Sequence, residues 1–125
     1  MNYWKVSLAL TKYPRSEWPT RVEGIAVDPI YGELLNSVRV QQDKLGEIGY
    51  GYVTSHPYWP TPPTAFSKTV VMGDCFDGSH AGTKLAKTGK VKTVGKTHTN
   101  IHATLVKGDD GKWRVHQIDY LKASC

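Results

Sequence analysis

Two periods divide the chain. Up to residue 45 apolar side chains recur three and four apart, and beyond it they alternate with polar ones. Trp4 and Leu8 form one helical stripe in residues 3–13, and Val6, Leu10 and Tyr13 another. This stretch predicts an amphipathic helix that Pro14 ends. Ser16-Glu17-Trp18-Pro19 reads as a turn, and Pro19 opens a short second helix over Thr20–Ala26 with Val22, Ile25 and Ala26 inward. Asp28-Pro29 then predicts a longer helix. The carboxylate can accept first-turn amides, and proline at the first helical position has no hydrogen bond to lose. Ile30, Leu34, Val38, Gln41 and Leu45 follow on one face, and Gly46 stands where a left-handed cap ends the helix.

After Gly46, Ile48, Tyr50, Tyr52 and Thr54 alternate with Gly49, Gly51 and Val53, which predicts a strand whose aromatic face covers the helices. The glycines opposite mark a bend or the close approach of another backbone. The proline-rich segment from His56 to Pro63 cannot be a central strand, because proline gives a ladder no amide donor, so it reads as an extended connector. Strands are predicted at Phe66–Cys75, Ser79–Lys87, Lys90–Val94, His98–Val106 and Lys112–Tyr120, with turns at Asp77-Gly78, Thr88-Gly89 and Gly108-Asp109-Asp110-Gly111. Helices first and strands afterwards give an α+β class, a single domain over residues 1–125 with helices at about 3–45 and a curved antiparallel sheet at about 47–122.

Composition narrows the function classes. A chain of 125 residues suits one domain with its own core. No stretch reaches the roughly 18 consecutive apolar residues of a membrane span, and residues 1–13, which carry Lys5 and Lys12, do not read as a signal peptide. Whether residue 1 is the native start stays open. The net charge of +5 lies wholly in the second half: residues 63–125 hold ten Lys and Arg against five Asp and Glu, and residues 1–62 hold six of each. Lys84, Lys87, Lys90, Lys92 and Lys96 make a basic hairpin, the usual protection of a sheet edge and also a candidate partner surface at Lys84, Lys90 and Lys92. Nucleic acid is not the expected partner, since lysines without interleaved arginine and aromatics read bases poorly.

The chemical candidates are few. Cys75 with His80 could form a nucleophile pair, but Asp74 and Asp77 beside it raise a thiol's pKa and oppose the thiolate. His98 and His102 lie on one predicted strand about 13 Å apart, too far for one ion, and no short ligand spacing occurs, so no metal and no cofactor are expected. Asp109-Asp110 reads as a hairpin turn rather than a calcium loop. Asp119 beside Tyr120, with His116, is the candidate acid–base set, and His102 lies on the neighbouring strand. Tyr58 and Trp59 on the proline strip either meet a partner or cap the open end of the sheet.

Trp4, Asp28-Pro29, Leu34-Leu35, Gly46, Gly49-Tyr50-Gly51, Val70-Val71, Asp74-Cys75, Lys87-Thr88-Gly89, Leu105-Val106, Trp113-Arg114-Val115 and Cys125 together resemble a group of small actinobacterial secreted proteins and lipoproteins, some of them encoded by phages and mobile elements. Their domain is similar to the cone-shaped nuclear transport factor 2-like, or cystatin-like, fold. The resemblance implies an extracytoplasmic, non-enzymatic binding or accessory domain of the cell envelope with a protein partner. It also implies that any targeting segment lies outside this chain, with membrane contact only through such an anchor. Oligomeric state stays open, a homodimer included. The alternative is a small-molecule cone, a carrier or an isomerase- or dehydratase-like enzyme using Asp119, Tyr120 and His116. The resemblance further implies a Cys75–Cys125 disulfide, and a cysteine at a strand end with another at residue 125 suits a clip against fraying.

Overall fold

A computed structural model of the protein describes residues 2–125. Helix α1 (Asn2–Ala9) is shorter than its pattern predicts, because Leu10–Lys12 tighten into a 3₁₀ turn and Tyr13 is already extended at φ −112° and ψ 155°. The residue before a proline is sterically kept out of the helical region, so the helix must end ahead of Pro14. Helix α2 (Trp18–Glu23) starts at Trp18, earlier than expected, with Pro19 in its first turn. That shift buries Trp18 completely, and its indole N–H donates to the Tyr13 carbonyl at 3.1 Å. Helix α3 (Ile30–Leu45) begins one residue past Pro29 and ends at the left-handed Gly46, whose N–H donates to the Gln41 carbonyl. Asp28 accepts the Gly32 amide at 3.1 Å. Leu34 and Val38 are buried, whereas Leu45 is exposed, so the apolar stripe ends before the helix does.

The strands form two antiparallel sheets where the alternation predicted one. Strands β1 (Glu47–Gly51), β4 (Ala81–Leu85) and β5 (Val91–Val94) make a three-stranded sheet in the order β1-β4-β5. Strands β2 (Pro57–Tyr58), β3 (Thr69–Phe76), β6 (Thr99–Lys107) and β7 (Trp113–Tyr120) make a four-stranded one in the order β2-β3-β6-β7. Strand β3 already has β2 on one side and β6 on the other, so it offers β4 no free edge. The Asp77-Gly78 turn therefore passes the chain from one sheet to the other. Gly78 N–H donates to the Lys96 carbonyl at 2.8 Å and Gly95 N–H to Ala81 at 3.0 Å, which closes the seam.

The face of β1 that meets α1 is the glycine face, not the aromatic one. Gly49 N–H donates to Thr11 Oγ1 at 3.3 Å beneath the Leu8 carbonyl, a backbone approach that a tyrosine at this position would block. Tyr52 stays exposed in consequence. The helices pack against the inner face of the four-stranded sheet. Tyr3, Leu10, Trp18, Val22, Ala26, Leu34 and Val38 form one buried cluster with Val115 of β7, and Phe76, Ile101 and Ala103 form a second. Trp4 joins them, with its ring 4.6 Å from Phe76 and packed against both clusters. Strand β7 is fastened to the link after α2 by Val115 N–H to the Ile25 carbonyl and Val27 N–H to the Val115 carbonyl, both 2.9 Å.

Candidate functional site

Alternation along β3 turns Val70, Met72, Asp74 and Phe76 to the inner face and Cys75 outward. Cys75 and Cys125 form a disulfide with Cα atoms 5.8 Å apart, across a sequence separation of 50. The sulfur is thus committed to a cross-link and is no nucleophile. His80 lies away from it, stacked on Tyr52 with ring centroids 5.1 Å apart, and His56 Nδ1 is 3.0 Å from the Cys75 carbonyl oxygen. Its neighbour Asp74 has a role the sequence reading missed. Asp74 is completely buried and accepts the His56 amide at 2.8 Å and the Trp4 indole N–H at 3.4 Å. The signal was the strand period, which turns Asp74 inward with Phe76. One carboxylate so ties the connector, β3 and α1 together.

Asp119, Tyr120 and His116 do not converge. Asp119 is exposed on the outer face of β7, opposite His102 in the register, and accepts the Gln117 side-chain amide at 2.9 Å. Tyr120, the next residue, points to the opposite face. His116 sits where the β6–β7 register shifts, and its Nδ1–H donates to the Asp28 carbonyl at 2.7 Å. It is bound to the link between α2 and α3 instead of facing an acid. Tyr3 is the phenol whose chemistry the fold alters most: burial, with smaller contributions from Tyr120 and Glu33, pushes it up to about 12.

The proline strip splits in function at Tyr58 and Trp59. The Tyr58 ring lies flat over Gly73, where a Cβ would fall inside the ring, and its hydroxyl donates to Asn100 Oδ1 at 2.6 Å. His102 meets it edge-on, with centroids 6.2 Å apart. Tyr58 is therefore a strap that closes β2 onto the outer face of the sheet. Trp59 continues around the edge and is half exposed. With Pro63, Thr64, Val70, Leu105 and Trp113 it lines a groove of about 370 Å³. Among the described residues, no ionisable side chain lines this groove. Leu105 and Trp113 continue into a second concavity of about 550 Å³ beside Tyr3, Ile25 and Met72. Only Trp59 of this set was expected. Val70 and Leu105 fall in predicted strands with no role assigned to them, and nothing in the sequence pairs Trp59 with Trp113.

The predicted lysine hairpin is at the edge of the other sheet. Lys84 is on β4 opposite Val91, Lys90 is in the turn ahead of β5, and Lys92 is in β5 beside a register shift. All four residues of β5 are exposed. Among the described residues the ion pairs are Arg15 with Asp43, Arg21 with Glu17, and Arg114 with Asp110, so the hairpin lysines take part in none. Among the described residues, no three His, Cys, Asp or Glu side chains are grouped so as to hold a metal ion. No protein-family model matches the chain, and no curated protein is significantly similar to it.

Proposed function

We propose that this chain is a non-enzymatic binding domain of the actinobacterial cell envelope, built on a nuclear transport factor 2-like cone, whose groove between the proline connector and the sheet receives an apolar segment of a protein partner. The observation that carries this reading is the lining of that groove: two half-exposed indoles, Pro63, two aliphatic side chains and Thr64, whose hydroxyl is bonded to Ser67 Oγ at 2.7 Å, with no ionisable group among the described residues. Such a surface can bind but has no group that moves a proton. Trp59 and Trp113 supply large apolar area with few rotatable bonds, and Pro60, Pro62 and Pro63 limit the backbone entropy that binding removes. Helices resting on one face of a four-stranded antiparallel sheet are in keeping with the cone. The Cys75–Cys125 disulfide supports an oxidising compartment, since such bonds persist outside the cytoplasm.

The groove volume favours one second reading, a carrier of a small apolar molecule, because ligand pockets start at roughly 300 Å³. One experiment separates the two. The domain and a W59A/W113A variant are recovered from the native envelope fraction and analysed by native mass spectrometry. The protein-binding reading expects a stoichiometric protein adduct on the wild type that the variant loses. A bound small molecule lost by the variant would establish the carrier, and identical spectra for both proteins would remove the groove from the function.

A further inference from the structure

One end of the four-stranded sheet brings together unburied aromatic surface and lysine. Phe66, at the apex of the connector, is 94% exposed. It is held out by a closed turn: Ser67 N–H donates to the Thr64 carbonyl at 3.2 Å, and Thr64 N–H donates to Ser67 Oγ at 3.1 Å. Pro62 and Pro63 stiffen the approach to that turn. Across a shallow concavity of about 410 Å³ it faces the β6–β7 hairpin.

The charges around this tip are one-sided. Lys107 N–H donates to the Lys68 carbonyl at 2.8 Å, so both lysines spring from adjacent backbone, and Lys112 closes the same hairpin. All three are exposed. Asp110 is neutralised locally, since Arg114 holds both its oxygens at 2.9 and 2.7 Å. Asp109 is the one remaining carboxylate of the hairpin. The tip thus offers three lysines and an apolar ring against a single unpaired acid.

We propose that this tip docks on an anionic lipid bilayer, with Phe66 entering the interface and Lys68, Lys107 and Lys112 lying against the headgroups. An aromatic ring and lysines side by side match the two demands of that surface, apolar burial at the acyl boundary and positive charge at the headgroup level. A bilayer also needs no shaped socket, which suits a ring that nothing in the fold covers. One ring with three lysines gives reversible, salt-sensitive attachment rather than permanent anchoring. The tip shares Pro63 and Thr64 of its turn with the groove, but Phe66 and the three lysines lie outside the groove lining, so this inference and the partner reading stand or fall separately.

Co-sedimentation of the intact disulfide-bonded domain with vesicles tests it, using phosphatidylcholine alone and phosphatidylcholine mixed with phosphatidylglycerol. Binding is expected only to the mixed vesicles, and it weakens as salt rises. F66A should weaken it several-fold, and K68E and K107E by roughly five-fold or more each. W59A should leave it unchanged, and the far-ultraviolet spectrum and thermal midpoint of each variant should match the wild type. Failure to bind mixed vesicles at low salt overturns the proposal, and so does binding that survives F66A and K68E/K107E. Vesicle binding that is absent while these variants abolish capture of a soluble partner would reassign the tip to a protein socket.

Discussion

Single polar side chains hold distant parts of the fold together, Asp74 from within the core and Tyr58 from the outer face of the sheet. Asp74 replaces water with the His56 amide and the Trp4 indole, so Asp74→Ala leaves two part-buried donors unmatched and should lower stability by about 1–3 kcal/mol in chemical denaturation. Tyr58→Phe removes only the hydroxyl bond to Asn100 and should cost about 0.5–1 kcal/mol, whereas Gly73→Ala displaces the whole ring and should cost about 1–3 kcal/mol. That order, measured on the same denaturation curves, separates a strap from a free aromatic. Tyr3 makes a prediction in pH. Its folded value of about 12 exceeds the ordinary 10.0, so the stability it contributes is whole below pH 10 and falls away between pH 10 and about 12, where the unfolded phenol ionises and the buried one does not. A tyrosinate absorbance titration should show one tyrosine ionising last, and Y3F should flatten the alkaline loss of stability. Asp74 and Tyr58 were each visible in the sequence, but only as a neighbour of Cys75 and as a surface ring. Which residue a ring covers is a fact of pairing between distant strands, and β2 with β3 is such a pair.

At the scale of elements, the periodic segments were legible and their partners were not. Helix α3 lies where its four-residue apolar spacing put it, and Ile101 and Ala103 of β6 alternate into the core, whereas the register shift at His116 breaks the alternation of β7. The division into two sheets was hidden, since strands of either sheet carry the same two-residue period. Helix ends moved where proline sterics and the burial of Trp18 outweighed the apolar stripe. The disulfide links the end of β3 to the residues that follow β7, across a loop of 50 residues. Cys75→Ser should therefore lower stability by roughly 2–4 kcal/mol, and C75S/C125S should cost no more than either single change. Hydrogen exchange would then quicken at the chain end beyond β7 before it quickens in β6, whose neighbours on both sides remain. Equal melting of the reduced and oxidised proteins would contradict this role.

Across the whole molecule, polar chemistry and apolar surface are segregated. Asp119 and His102 face outward and His116 is bound to a carbonyl, while the groove under the connector is lined by two indoles, Pro63, Thr64 and aliphatic side chains. The acid–base set suggested by adjacency in sequence fails for a geometric reason, as neighbours on a strand point to opposite faces. The groove was illegible for the converse reason, because Trp59 and Trp113 come to line one groove only after β3, β6 and β7 have paired. The central claim, that this groove is the binding surface, is tested most directly by photo-crosslinking in the producing cell. A benzophenone side chain is placed at Trp59 in one protein and at Lys92 on the far sheet edge in another. One discrete protein adduct is expected from position 59 and none from position 92, whereas an adduct from position 92 with none from position 59 would place the binding surface on the far sheet edge instead.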